Sequence, residues 1–247
     1  CFSILGLVVP LSTFTTTTGP YYQLNGGYFS QIELQASING NLVQYNEEHI
    51  WRVRQSDIII TKAVSQNEDL EVYTVDVMPR DQDAILRKVI VRNISSEMLS
   101  GVSVSLVPFS AATESGDHLV QTRGDKTLAL YSPDGNVEDG DSIMVNLGDL
   151  QPGQELLTEF YLIIYLSADD RDNTLTTITE TGFDTMLTET NAWWQDWMAG
   201  TLMPSTPDQK QNDLVDDTKV LIETQVDEAG AVSVMHAYTK TWLRDHY

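Results

Sequence analysis

Residues 70–79 read LEVYTVDVMP, and the character of their side chains alternates along the segment. The even positions from Leu70 to Asp76 fall on one face of an extended chain, and the odd positions from Tyr73 to Val77 fall on the other. A period of two is the pattern of a β-strand. Residues 100–109, SGVSVSLVPF, repeat it with Val and Leu on one face and Ser on the other. Such strands bury one face only, which is typical of an antiparallel sheet.

The same pattern continues over most of the chain, from about residue 28 to residue 166. About ten strand-like segments follow one another, separated by turns that contain Gly, Asn, Asp or Pro. This spacing favours a large antiparallel β-sandwich over a parallel α/β sheet. Besides the two segments above, the strand-like stretches are YFSQIELQASI, LVQYN, HIWRVRQSDIIITKAV, ILRKVIVRNI, LALYS, SIMVNLGDL and LLTEFYLIIYLS.

The pattern changes to a helical one after Leu166. In SADDRDNTLTTITETGFDTMLTETNAWWQDWMAG, residues 167–200, a run of polar capping residues precedes apolar positions at the helical period. We expect this helix to end near Gly200, and Pro204 and Pro207 to mark a linker. A second helical pattern follows between Leu214 and Ile222. The apolar positions of the first helix are Phe183, Met186, Leu187, Trp193, Trp194 and Trp197, and we interpret the tryptophans as a packing stripe rather than a sugar platform.

The charge of the chain narrows the classes of partner. Lys and Arg number 14 and Asp and Glu number 36, which gives a net charge of −22. Such a field repels phosphate backbones and anionic membrane surfaces, so nucleic-acid binding is disfavoured and neutral substrates are compatible. No segment approaches the roughly 20 apolar residues of a membrane span. The cellular compartment stays open, with an extracytoplasmic location slightly favoured.

Metal, cofactor and disulfide chemistry have little support in the sequence. SPDGNVEDGD, residues 132–141, resembles a calcium loop, but its sixth position is Asp139 rather than Gly, so an acidic hairpin turn is the better interpretation. The histidines His49, His118 and His236 are too scattered for a metal site, and no cofactor is expected. Cys1, the single cysteine, excludes an internal disulfide; it is either a lipid-bearing first residue or the point where a longer protein was cut.

The end of the chain carries a resemblance to a known family. The tryptophan-rich helix is followed by Gly230–Ala231, Tyr238 and the closing WLRDHY of residues 242–247. A sandwich, a Trp-rich helix and an aromatic-x-Arg-Asp motif in this order resemble the N-terminal region of the glucoamylase-like (family 15-type) glycoside hydrolases. The resemblance implies a mainly β fold: a galactose mutarotase-like supersandwich, a linker helix and the first helices of an (α/α)6 barrel. It places the supersandwich at residues 1–170, the connecting helix and linker at 171–204, and the start of a truncated helical catalytic domain at 205–247.

The same resemblance implies a substrate-binding role for three residues. Arg244 would donate to, and Asp245 would accept from, hydroxyls of a terminal glucosyl unit, while Trp242 would line the apolar face of the sugar ring or support the pair. An exposed ion pair between Arg244 and Asp245 is the structural alternative. The resemblance also implies a catalytic acid and base that are both glutamates far downstream, so we name no catalytic residue and expect the chain as given to be inert.

The function implied is hydrolysis of α-glucosidic bonds in oligosaccharides or polysaccharides. The partners would be a glucosyl oligosaccharide and the protein's own downstream catalytic domain. Two alternatives remain open at this point. One is a non-catalytic sandwich for carbohydrate binding or adhesion, and the other is a disaccharide phosphorylase of the same architecture.

Overall fold

The computed structural model describes residues 32–108, 111–123, 126–201 and 205–223, and within these ranges it contains thirteen strands and three helices. The three helices follow the strands. The strands are β1 (Ile32–Ile38), β2 (Asn41–Leu42), β3 (Tyr45–Arg52), β4 (Ile59–Ser65), β5 (Leu70–Val77), β6 (Ala84–Asn93), β7 (Leu99–Pro108), β8 (Thr113–Ser115), β9 (His118–Arg123), β10 (Lys126–Tyr131), β11 (Asn136–Glu138), β12 (Ser142–Leu150) and β13 (Glu155–Tyr165). The helices are α1 (Ala168–Thr181), α2 (Phe183–Gly200) and α3 (Gln209–Glu223).

The strands form two antiparallel sheets. Sheet A has five strands in the order β11-β12-β7-β1-β2, and sheet B has eight in the order β3-β4-β5-β6-β13-β10-β9-β8. Each sheet contains neighbours that are distant in sequence, since β1 pairs with β7 and β6 pairs with β13. The predicted mainly β, antiparallel sandwich is confirmed. The strand-like stretches of the sequence have no counterpart of β8, β9 and β11. Strands β8 and β11 are three residues long, too short to show an alternating pattern, and the six-residue β9 was missed.

The core lies between the two sheets. Sheet A contributes residues such as Leu34 and Leu106, and sheet B contributes residues such as Val72, Leu130 and Phe160, all at most 1% exposed. Burying a side chain of this size stabilises the fold by about 1.5–3 kcal/mol. Strand β7 buries its Val and Leu face, whereas β5 buries Leu70, Val72, Thr74 and Asp76 on one face and also Glu71 and Val77 on the other.

Helix α1 corrects one sequence-based expectation. The polar run after Leu166, expected to be capping residues only, forms a complete helix of 14 residues. Ser167 caps its first turn together with Asp170, and among the described residues of this helix only Ile178 is buried. One buried position gives no periodic apolar pattern, which is why the sequence did not reveal this helix.

Helix α2 begins directly after α1 and ends at Gly200, as expected. The break is Gly182, whose backbone N–H donates to the carbonyl of Ile178 at 2.8 Å. Its φ of 80° and ψ of 150° are values that glycine adopts without strain. Helices α1 and α2 cover part of sheet B on the face away from sheet A, where Phe183 and Met186 pack with Tyr161.

Among the described residues, no helix combines the length and the apolar character that a membrane crossing requires.

Candidate functional site

The three predicted sugar-contacting residues, Trp242, Arg244 and Asp245, lie outside the described residues. Gly230–Ala231, Tyr238 and His246 lie outside them as well. The last described helix, α3, ends at Glu223 and packs at the junction between the helices and the sandwich.

Three tryptophans of α2 form the apolar centre of the junction. The ring centroids of Trp193 and Trp194 are 5.0 Å apart at an edge-to-face angle of 80°, and those of Trp193 and Trp197 are 6.3 Å apart and stacked. Trp194 is 3% exposed and packs with Met198 and with Val220 of α3. The tryptophans thus join α2 to α3, which confirms their interpretation as a packing stripe.

A carboxylate of the sandwich accepts a hydrogen bond from this cluster. Asp57 lies between β3 and β4, and its Oδ1 accepts the indole N–H of Trp194 at 2.7 Å. Burial raises the pKa of the Asp57 carboxyl to about 6, against the hydrogen bond from Trp194 and the charges of Arg80 and Arg52, which lower it. The contact ties the orientation of α2 to the loop that connects two strands of sheet B.

Arg80 links the sandwich to both helices of the junction. It follows β5, and its guanidinium carbon lies 3.8 Å from the centroid of the Trp193 ring. Its Nη2 donates to Oε1 of Glu223, the last residue of α3, at 3.1 Å. A cation over an indole ring contributes about 0.5–2 kcal/mol, depending on its exposure. Arg80 therefore holds the end of α3 against the sandwich.

Further polar contacts hold the middle of α3. Arg54 donates to Asp213 at 2.9 Å and lies 3.6 Å from Asp216, which also accepts from Gln55 at 2.8 Å. The Asp216 side chain is buried although it carries a carboxylate. One further ion pair joins the same surfaces, between Arg52 and Asp217. In these contacts the sandwich supplies the cations and α3 supplies the anions, so their charges are complementary.

The start of α3 is fixed by its own sequence. The carboxylate of Asp208 accepts the backbone N–H of Lys210 at 2.9 Å, and Asn212 bonds to Thr206 through both its amide oxygen and its amide nitrogen. Side chains that accept from the first turn stabilise a helix by about 0.5–2 kcal/mol. The linker marked by prolines thus ends in a well-capped helix.

A second cluster of polar side chains lies at the start of α2, where this helix packs on sheet B. Lys88 donates to Asp184 at 2.5 Å and lies 3.5 Å from Glu159, which accepts the Tyr161 hydroxyl at 2.7 Å. Burial raises the pKa of Tyr161, and the adjacent Glu159 raises it further. These groups satisfy one another, so their arrangement is that of a structural network under the helix.

An ion pair also lies on the buried face of sheet B. Arg87 donates through Nε and Nη2 to the two carboxylate oxygens of Asp76, at 2.6 and 2.7 Å, from the directly opposite position on β6. Burial raises the pKa of Asp76, and the charge of Arg87 lowers it. A two-point contact of this kind fixes the register of β5 against β6.

Metal binding has no support in the part of the chain that the structure describes, where no group of three or more His, Cys, Asp or Glu side chains comes together. The acidic segment of residues 132–141, which was expected to form a hairpin turn, lies between β10 and β12, with β11 paired to β12.

The sequence carried no signal for Asp57 or Arg80, because each acts through a partner more than 100 residues away.

The sequence matches no protein-family model and no curated protein. Solved structures share its fold. A bacterial glucoamylase in complex with acarbose superposes with a TM-score of 0.57 at 9% identity, over 78% of this chain and 35% of that one. A protein described as a kojibiose phosphorylase from the human microbiome superposes with a TM-score of 0.50 at 9% identity, over 66% of this chain and 27% of the other. This chain thus spans about a third of the length of the structures it matches.

These likenesses concern the fold, and they confirm that the chain has a fold found in such proteins. The glucoamylase superposition covers 78% of this chain.

Proposed function

We propose that this chain is the N-terminal part of a glucoamylase-like (family 15-type) glycoside hydrolase. Residues 1–170 would be the supersandwich, 171–204 the connecting helix and linker, and 205–247 the start of an (α/α)6 catalytic domain. The observation that supports the proposal is the superposition on a bacterial glucoamylase, which covers 78% of this chain at a TM-score of 0.57. The family resemblance of residues 193–197 and 242–247 points to the same architecture.

In this proposal the sandwich has a structural role. Its arginines and Asp57 hold α2 and α3, so that the chain after Glu223 starts from a fixed position. The catalytic domain would supply the acid and base, which for inversion lie roughly 6.5–9.5 Å apart. The reaction would be hydrolysis of an α-glucosidic bond in an oligosaccharide or polysaccharide.

Arg244 and Asp245 would hold the terminal glucosyl unit of that substrate. A guanidinium presents several fixed donors and a carboxylate accepts from two hydroxyls, and both contacts strengthen where water is excluded. Trp242 would line or support the sugar. None of these roles requires a metal or a cofactor.

The experiment is a comparison of Asp245→Ala with the parent protein, using release of glucose from maltotetraose as the measurement. We expect a loss of at least about 100-fold in kcat/KM, since a charged hydrogen-bonding group contacting the substrate is removed. Asp141→Ala, on an exposed hairpin turn of the sandwich, is the matched control and should leave kcat/KM unchanged. Full activity of the Asp245→Ala protein would refute the assigned role.

A disaccharide phosphorylase is a second candidate, supported by the superposition on the kojibiose phosphorylase at a TM-score of 0.50. Phosphate would then replace water as the attacking group. Turnover of the parent protein that requires inorganic phosphate would favour this candidate, and turnover at the same rate without phosphate would favour the hydrolase.

A further inference from the structure

A cleft of about 330 Å³ opens at one end of the sandwich. It lies between the β1–β2 hairpin, the segment that leads into β3, and the turn from β4 to β5. Strand β4 runs from the junction, near Asp57, to Ser65 at the cleft. At about 3.3 Å per residue, the cleft lies roughly 20 Å from the junction, at the opposite end of the sandwich.

The polar wall of the cleft carries unused hydrogen-bonding groups. Gln44, Gln66 and Asn67 present side-chain amides, and Asp69 presents a carboxylate. Within residues 32–108, 111–123, 126–201 and 205–223, none of these four side chains is engaged in a hydrogen bond or an ion pair. Each amide offers two donors and one acceptor, and the carboxylate offers acceptors only. The cleft therefore offers donors and acceptors side by side.

The rest of the lining is mainly apolar, with Asn41 and Ser65 as its polar members. Its apolar residues are Ile38, Leu42, Val43 and Leu99, and Leu42 is 58% exposed although it is large and hydrophobic. A cleft with an apolar surface and a few convergent polar groups is the usual form of a small-molecule site, and its volume is at the lower end of the range for such sites.

The charge of the cleft disfavours an anionic ligand. No Lys or Arg lines the cleft, and the net charge of −22 disfavours anions. A single carboxylate is too few ligands for a metal ion, and the described residues contain no metal-binding group. A hydroxyl group both donates and accepts, so a ligand rich in hydroxyls uses amides and a carboxylate equally well, while its C–H faces contact the apolar wall.

We propose that this cleft binds one or two pyranose units of a neutral sugar, at a site separate from the terminal Arg–Asp segment. The choice of a sugar among neutral polyhydroxyl compounds rests on the proposed function. A second site at this distance holds a polysaccharide on the enzyme by a part of the polymer that is not being cleaved. Its contribution is greatest for long substrates.

The test is a nuclear magnetic resonance titration of the 15N-labelled 247-residue chain with maltotriose, cellotriose and raffinose as separate probes. We expect saturable shifts of the side-chain amide signals of Gln44, Gln66 and Asn67 with at least one of these sugars. Asn67→Ala and Asp69→Asn should each weaken that binding about threefold to tenfold, the effect of losing one hydrogen bond. Asn136→Ala, the same kind of exposed change on β11 at the far edge of sheet A, should not weaken it.

Three outcomes would overturn the proposal: no shift of these amides with any of the three sugars, an affinity in both cleft variants equal to that of the parent chain, or shifts with an acetylated tri-alanine amide but not with sugars. The cleft and the terminal Arg–Asp segment can be tested separately. Asp245→Ala should retain sugar binding at the cleft, and Asn67→Ala should retain kcat/KM on maltotetraose. Failure of either proposal can thus be seen without the other.

Discussion

The indole N–H of Trp194 donates to the carboxylate of Asp57 at 2.7 Å, across 137 residues of sequence. Trp194 is 3% exposed, and the indole nitrogen is a donor that needs a partner when it is buried. The loop between β3 and β4 thereby determines where α2 lies, and the packing of Val220 against the same tryptophans determines where α3 lies.

Removing this acceptor tests how much the hydrogen bond contributes to the stability of the fold. Asp57→Ala leaves the buried indole N–H without a partner, and we expect the free energy of unfolding to fall by about 1–3 kcal/mol. Urea denaturation followed by tryptophan fluorescence measures the change. Asp141→Ala, on an exposed turn, should stay within about 0.5 kcal/mol of the parent chain. If Asp57→Ala is as stable as the parent chain, the hydrogen bond does not contribute to stability.

The raised pKa of Asp57 predicts a pH dependence with a definite sign. The folded chain keeps the Asp57 proton up to about pH 6, whereas the ordinary pKa is 3.8. Between these values the folded state binds more protons at Asp57, so the contribution of this carboxyl to stability is highest below pH 3.8 and is lost as the pH rises through 6. At 1.36 kcal/mol per pKa unit, the loss is about 3 kcal/mol.

The measurement is the difference in unfolding free energy between the parent chain and Asp57→Asn at a series of pH values. Asn keeps an acceptor for Trp194 but does not titrate in this range. We expect the parent chain to lose stability relative to Asp57→Asn as the pH rises from about 4 to about 7. A constant difference over that interval would contradict a raised Asp57 pKa.

Arg80 gives a local prediction for α3. Arg80→Ala removes the cation over Trp193 and the ion pair to Glu223, which together we expect to contribute about 1–2 kcal/mol. Backbone amides in the last turns of α3 should then exchange with solvent about fivefold to thirtyfold faster, as measured by hydrogen exchange.

The matched control for Arg80→Ala is Arg92→Ala, which removes an exposed arginine that pairs with Glu155 at 3.6 Å on sheet B. It should leave exchange in α3 unchanged. Added salt should speed exchange in α3 of the parent chain, because exposed ion pairs are screened. If Arg80→Ala and Arg92→Ala affect α3 equally, Arg80 is not a specific anchor.

The Asp76–Arg87 pair predicts an asymmetry between breaking an ion pair and replacing it. Arg87 is 4% exposed, so Asp76→Ala leaves a buried guanidinium without its anion and should cost about 3–5 kcal/mol. The double variant Asp76→Leu/Arg87→Met removes both charges and should be more stable than Asp76→Ala. Urea denaturation checks both, and a double variant less stable than Asp76→Ala would contradict the argument.

The sequence predicts the elements whose pattern is long and regular. The alternation in β5 and β7 predicts these two strands, and the Val and Leu face of β7 is the buried one. The helical spacing from Phe183 to Trp197 predicts α2 and its end at Gly200. Helix α1 was missed because it is mostly polar: its exposed residues Thr176, Thr177 and Thr179 donate to the carbonyls four residues earlier. Such residues resemble a capping run when only periodicity is considered.

The pairing of distant strands and the contacts of the junction could not be predicted in the same way. Nothing local in β1 specifies its pairing with β7, since that choice depends on how the two sheets pack. Neither Asp57 nor Trp194 lies in a sequence pattern that predicts its role, because that role depends on the contact between them. In the cleft, Gln66 and Asn67 resemble ordinary turn residues, and their unused amides are visible only in three dimensions.

A single residue, Gly182, separates α1 from α2, so the number of residues at this joint is constrained. Each residue inserted at Gly182 would rotate the phase of the following helix by about 100°, because an α-helix has 3.6 residues per turn. The indole of Trp194 would then face away from Asp57, whatever its identity. Natural variation in length should therefore collect in hairpins such as that between β11 and β12, while the joint at Gly182 keeps a fixed number of residues.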